Sequence, residues 1–116
     1  MTLTLFGIGN CDTVKKARAW LGAAGVAHQF HDVRKDGLGA DRLQGWIDAL
    51  GWEKLLNRNG TTFRKLPDAQ KAGLDAGSAK ALMLGQPAMI RRPVVEADGA
   101  LSVGFSADEW QARFGA

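Results

Sequence analysis

Leu3-Thr4-Leu5-Phe6-Gly7-Ile8-Gly9-Asn10-Cys11-Asp12-Thr13-Val14-Lys15-Lys16-Ala17-Arg18-Ala19-Trp20-Leu21 reads as a short apolar strand, a tight Gly-Asn turn and the start of a helix. The chain's single cysteine, Cys11, stands at that junction. A thiol placed there faces the unpaired N–H groups and the positive end of a helix dipole, which together favour thiolate over thiol. A free cysteine is more often a small buried hydrophobe than a reagent. At the mouth of a helix it reads instead as a nucleophile.

Working outward, Ala17, Trp20, Leu21 and Ala24 recur at helical spacing and Gly25 follows as a C-cap glycine, so Thr13 to about Ala24 is a helix. Val26 to Val33 alternates and stops at Arg34-Lys35-Asp36-Gly37, which predicts a second strand in a right-handed parallel crossover. His28 and His31 fall on opposite faces of that strand, so both are expected at the surface or sheet edge rather than as a catalytic pair. Leu43, Trp46, Ile47 and Leu50 mark an amphipathic helix, Gly51 breaks it, and Leu55-Leu56 belong to a short helical piece.

Asn57 to Pro67 reads as a polar loop with an Asn-Gly turn. Helices are expected from about Asp68 to Gly73 and from Ser78 to Leu84, the latter opened by Ser78 or Gly77 and burying Ala81, Leu82 and Leu84. Val94–Ala97 and Leu101–Phe105 form a hairpin through Asp98-Gly99. Ser106 and Glu109 then make a capping box for a last helix that buries Trp110 and Phe114. Trp20, Trp46 and Trp110 sit on apolar helix faces and read as core.

The order β-α-β, helical insertion, β-β-α predicts an α/β fold: a four-stranded mixed sheet covered by helices. A chain of 116 residues, 46% hydrophobic and 23% charged, suits one domain spanning 1–116, with the helical insertion at about 40–85. No basic leader precedes a long apolar run, and no segment approaches the roughly 18 to 20 apolar residues that span a bilayer. No membrane association is expected, and a lone reactive thiol is best preserved in a reducing cytoplasm.

The formal charge is only +3, and the basic residues fall in small groups with acids between them. That pattern argues against nucleic-acid binding. The groups around Arg58 and at Arg91-Arg92 lie in glycine- and proline-bearing loops suited to a local anion site. With Cys11, His28 and His31 as the soft ligands and no ligand spacing among them, no metal is expected.

Three segments in this order resemble a known family: the strand ending in Gly9-Asn10-Cys11-Asp12-Thr13-Val14-Lys15-Lys16, the run Asn57-Arg58-Asn59-Gly60-Thr61-Thr62-Phe63-Arg64-Lys65-Leu66, and Arg91-Arg92-Pro93-Val94-Val95 before a hairpin ending in Val103-Gly104-Phe105-Ser106. They resemble the ArsC/Spx/YffB family of thioredoxin-fold proteins, above all its YffB branch. The likeness covers essentially the whole chain. It implies a thioredoxin-like sheet and a glutathione-dependent thiol oxidoreductase, with Cys11 as nucleophile. Pro93 matches the proline that such folds hold in cis, and Arg92 matches an arginine that neutralises an oxyanion. Asn57 or Arg58 matches a second arginine of that set.

The departures from the family pattern are equally specific. A third arginine of the arsenate-reductase set falls at Gly104, and Asp12 sets a negative charge next to the nucleophile. In the Cys-x-x-Cys of Spx-type regulators the second position is Val14 here, so an internal disulfide cannot form. The reading that follows is monothiol exchange, with Cys11 and Arg92 catalytic and Asn10, Asp12, Thr13, Arg58 and Pro93 binding substrate. No cofactor is bound, and glutathione is the co-substrate for a disulfide or glutathionylated partner. The alternatives are glutathione-dependent arsenate reduction and an Spx-like regulator that docks on a partner such as RNA polymerase without catalysis.

Overall fold

A computed structural model describes residues 3–115. Met1, Thr2 and Ala116, the ends of the expected 1–116 domain, lie outside the described residues. The elements run β1 (Leu3–Gly7), α1 (Asp12–Ala23), β2 (Gln29–Asp32), α2 (Ala40–Leu50), α3 (Trp52–Leu55), α4 (Thr61–Arg64), α5 (Asp68–Lys71) and α6 (Ala76–Gly85). A 3-10 turn, Pro87–Met89, then precedes β3 (Val94–Ala97), β4 (Ala100–Val103) and α7 (Ala107–Phe114). They group into two units, Met1–Asp36 with Arg92–Ala116, and Gly37–Arg91.

The first unit holds one four-stranded sheet in the order β2-β1-β3-β4. β1 runs parallel to β2 and antiparallel to β3, and β3 pairs antiparallel with β4. This is the four-stranded mixed sheet that the element order predicted. Register puts Leu5 beside Phe30 and Val95, and Leu3 beside Ala97, all on one face. Val14, Ala17 and Leu21 of α1 and Trp110 of α7 close over that face into a buried core. Trp110 takes edge contacts from Trp20, Phe105 and Phe114, with ring centroids 5.8, 4.7 and 5.7 Å away. Burial and quadrupole geometry therefore act together at this aromatic cluster.

The ends of the elements follow local chemistry. At the end of α1, Gly25 takes φ +71 and donates to the Gly22 carbonyl, while the Val26 N–H donates to Leu21. This is a Schellman motif, and it explains why β2 starts only at Gln29 instead of at Val26: the Val26 donor is spent on the cap. Asp98 and Gly99, with φ 50 and 83, form the two-residue turn of the hairpin. β4 ends at Val103 rather than at Phe105, because Gly104 turns out of the strand and donates to the Pro93 carbonyl at 2.8 Å. Ser106 caps α7 by accepting the Glu109 N–H at 3.4 Å.

The second unit is helical, with one isolated bridge, Leu56 to Ile90. Leu43, Trp46, Ile47, Leu55, Leu56, Phe63, Ala79, Met83, Met89 and Ile90 are its buried side chains. Four expectations are corrected here. The stretch read as a polar loop contains α4, with Phe63 buried. α6 begins at Ala76 because Asp75, not Ser78 or Gly77, is its N-cap, and Asp75 and Ser78 exchange the reciprocal bonds of a capping box. Its buried residues are Ala79 and Met83, while Ala81 is exposed and Leu82 and Leu84 are half-buried. Ala-Lys-Ala-Leu-Met-Leu is apolar on nearly every side, so its periodicity could not select the inner face. α5 is also shorter than expected, closing at Lys71.

Two contacts position the β1–α1 turn. A Cβ on Gly7 would lie 2.6 Å from Val14 Cγ2, so the missing side chain is what lets α1 settle against β1. Asp32, only 6% exposed at the end of β2, binds the turn from the other side. Its Oδ2 accepts the Gly9 N–H at 3.0 Å, and its Oδ1 accepts those of Arg34 and Lys35 at 2.9 and 3.0 Å. Burial pushes the Asp32 carboxyl pKa up, but the Lys35, Gly9 and Arg34 N–H groups and the Lys35 charge outweigh it and leave it below the usual carboxylate value.

Gly7→Ala is expected to cost about 1–3 kcal/mol through overpacking against Val14, read from the urea midpoint by tryptophan fluorescence. Asp32→Asn is expected to destabilise by about 1–3 kcal/mol near neutral pH, since Gly9, Arg34 and Lys35 lose their anionic acceptor. Because the folded-state pKa is depressed, this contribution is complete above the unfolded carboxyl value of about 3.9 and disappears as pH falls through the folded value. The gap between wild type and variant should narrow below about pH 4, and a gap constant down to the acid transition would contradict the role assigned to the carboxylate.

Candidate active site

Cys11 is the N-cap residue of α1, with extended backbone at φ −81 and ψ 126. Its own N–H donates to the Ile8 carbonyl at 3.0 Å, closing a turn over Gly9 and Asn10, and its carbonyl accepts the Lys15 N–H at 2.9 Å. The side chain is half-buried and free of any disulfide. No full N-cap hydrogen bond reaches the sulfur. The first-turn N–H groups of Val14 and Thr13 nevertheless lie close enough to favour negative charge on it. That is the use a helix start makes of donors with no intrahelical partner.

Burial alone would raise the Cys11 pKa. Against it act the Val14 N–H, the Arg92 guanidinium through both a hydrogen bond and its charge, and the Thr13 N–H. The balance lies below the ordinary thiol value. Arg92 is itself half-buried, with its Nε sealed from solvent, and the Arg92–Pro93 peptide bond is cis. The structure therefore brings Cys11, Thr13 and Arg92 together, with buried Pro93 joined directly to Arg92.

Asn10 and Asp12 flank the thiol and are exposed, Asn10 in the turn and Asp12 at the first helical position. Arg58 belongs to the other unit, where it is exposed and its guanidinium stands 5.9 Å from the Trp52 ring. It sits in a turn pinned by Asn57, whose Oδ1 accepts the Asn59 N–H at 3.2 Å and whose N–H donates to Met89 at 2.7 Å. His28 and His31 are half-buried on the edge strand or beside it, and His31 packs its ring 5.0 Å from Phe6. Among the described residues no three His, Cys, Asp or Glu side chains gather as metal ligands.

Sequence reasoning missed Asp32. An aspartate that accepts the N–H groups two and three residues on is an Asx-type turn, a signal present in Asp32-Val33-Arg34-Lys35. Its third bond, to Gly9, joins residues 23 apart in the chain and has no local signature.

The chain is similar to known proteins over nearly its whole length. A family model described as the ArsC family matches residues 6–113. An uncharacterized protein of Haemophilus influenzae is 40% identical over 97% of this chain and 98% of its own. The global transcriptional regulator Spx of Streptococcus mutans is 30% identical over 95% of this chain and 81% of its own. Among solved structures, a protein named YFFB superposes with a TM-score of 0.91 at 51% identity, covering 95% of this chain and 96% of that one. An arsenate reductase (ArsC) related protein from Brucella melitensis gives 0.82 at 52% identity, covering 98% and 95%. A fold with one thiol at the mouth of α1, matched across nearly its whole length by that family model, belongs to the ArsC family and is related to arsenate reductases.

Proposed function

We propose that this protein is a monothiol oxidoreductase that uses glutathione as its second thiol. The observation that carries the reading is the Cys11 sulfur, half-buried yet held below its ordinary pKa by the start of α1 and by Arg92. Thiolate is both the nucleophile and the better leaving group in thiol–disulfide exchange, so the same stabilisation serves attack and release.

In the first step the Cys11 thiolate attacks one sulfur of a disulfide or glutathionylated substrate. A bond forms between Cys11 and that sulfur, the old S–S bond breaks, and the departing thiolate takes a proton from solvent. In the second step a glutathione thiolate attacks the mixed disulfide, regenerates Cys11 thiolate and carries away the second sulfur as a new disulfide. With a glutathionylated substrate one glutathione per turn yields the free thiol and glutathione disulfide; with any other disulfide the new mixed disulfide takes a second glutathione to complete the two-electron reduction, so the reaction belongs in a reducing compartment such as the cytoplasm. Thr13 and the free N–H groups of the first turn donate to the reacting sulfur, and Arg92 holds its developing charge. Asn10 and Asp12 flank the entering substrate, and Pro93 shapes the backbone next to Arg92.

Two features favour this over the relatives' other activities. Gly104, with φ +93, offers no side-chain donor at a position where the resemblance to arsenate reductases calls for an arginine. Val14, the residue three after the nucleophile, is fully buried and apolar where Spx-type switches carry their second thiol.

Alkylation of Cys11 by iodoacetamide across pH should give a midpoint below about 8.5, and Arg92→Ala should move it upward toward that value. A wild-type midpoint at the unperturbed value would remove the basis for activation. Cys11→Ser should abolish reduction of a glutathione mixed disulfide, and Arg92→Ala should slow it about ten- to hundredfold, the loss of one hydrogen bond to a charged group. Measurable turnover by Cys11→Ser, or arsenate reduction faster than disulfide reduction in the wild type, would defeat the assignment.

A further inference from the structure

Along the turn that leads into Cys11, the first unit contains a cleft of about 450 Å³ lined by Gly9, Asn10, Lys15, Asp32, Arg34 and Lys35. Its volume falls within the roughly 300–1,000 Å³ of small-molecule sites. One wall is the turn that ends in Cys11, and the other is the segment that leaves β2. Lys15 stands on the first turn of the helix that Cys11 caps, its N–H on the Cys11 carbonyl. None of these cations is needed to activate the sulfur, whose charged neighbour is Arg92.

The charge of the cleft is positive for a structural reason. Three basic residues line it against one acid, and that acid, Asp32, is turned to structural use by the N–H groups of Gly9, Arg34 and Lys35. The same bonds tie the Cys11 turn to the Arg34-Lys35 segment, so the two walls keep their spacing without a ligand. Asp36 is occupied in accepting the Asp32 N–H at 3.1 Å, and Asp12 lies outside the lining. A second hollow of about 400 Å³ at the hairpin has Glu96 and Asp98 in its lining and no lysine or arginine, so a basic lining is not general on this unit.

We propose that this cleft seats a carboxylate of the small thiol that exchanges with Cys11, with Arg34 and Lys35 as its principal partners and Lys15 at the thiol end. The inference rests on the thiol-exchange reading and extends it: the co-substrate is a low-molecular-weight thiol bearing a carboxylate within reach of its sulfur, as glutathione does through its glycine end. Lys15, Arg34 and Lys35 are exposed, so their attraction for a carboxylate comes from their clustering and is screened by salt.

The test charges Cys11 with a neutral reporter by reaction with 4,4′-dithiodipyridine, then follows release of thiopyridone by glutathione and by glutathione esterified on its glycine carboxylate. In each case the entering thiolate forms the new S–S bond to Cys11, and the thiopyridone leaves with the electron pair of the old one. Wild type should react about three- to tenfold faster with glutathione than with the ester, a loss of about 0.7–1.4 kcal/mol for the missing carboxylate. In the Arg34→Gln/Lys35→Gln double variant the ratio should fall to about one, while the rate of alkylation by uncharged iodoacetamide stays at the wild-type value.

Equal rates for the two thiols in wild type, or a preference that survives in the double variant, would overturn the cleft assignment and leave the exchange chemistry standing. Failure of both thiols to release the reporter would instead overturn the thiol-exchange reading, and the cleft proposal with it. A preference that persists undiminished in 0.5 M sodium chloride would also count against a carboxylate held by exposed cations, since the Debye length falls to about 3–8 Å between physiological salt and 1 M.

Discussion

The buried carboxylate of Asp32 organises the end of the sheet that carries the Cys11 turn. Asp32 closes β2, and its oxygens accept N–H groups from Gly9 on the thiol-bearing turn and from Arg34 and Lys35 on its own outgoing segment. A polar group taken out of water is tolerable only when its hydrogen-bonding capacity is met, and here three backbone donors meet it. The bonds also solve the reverse problem, since N–H groups in a tight turn have no strand or helix partner of their own. The position of Cys11 is thus fixed from one side by this clasp and from the other by the close approach of Val14 to Gly7.

The ionisation of Cys11 is set by opposing effects whose balance lowers its pKa. Half-burial opposes ionisation, which by itself would make the thiol inert. The Val14 and Thr13 N–H groups and the Arg92 guanidinium reverse the sign, and they come from opposite ends of the chain. The helix supplies fixed dipoles that need no rearrangement during reaction, while Arg92 supplies a full charge from the strand side of the sheet. Pro93, buried and cis-linked to Arg92, belongs to the same short segment. The thiol, the arginine and the proline therefore form one compact chemical group although residues 11 and 92 are far apart in sequence.

Much of this arrangement was legible before any coordinates. The strand, turn and helix around Cys11, the hairpin at Asp98-Gly99 and the Ser106 cap all have short-range causes that a sequence displays directly. Less legible was the helical segment Gly37–Arg91. Its inner faces are chosen by packing, so α6 turned Ala79 and Met83 inward where the run of apolar residues left the face open. α4 was hidden because Asn59-Gly60 signals a turn but says nothing about the four residues after it.

By itself, the sequence determined the element order, the location of the lone cysteine and the absence of an internal thiol partner, because periodicity, caps and cysteine number are local or countable properties. Tertiary structure alone decided that Arg92 reaches the Cys11 sulfur, that Asp32 holds the Gly9 turn, and that Lys15, Arg34 and Lys35 share one cleft. Each of these joins segments brought together by strand pairing, in which β1 lies between β2 and β3. Electrostatic coupling depends on distance in space, and that distance is set by the order of strands in the sheet.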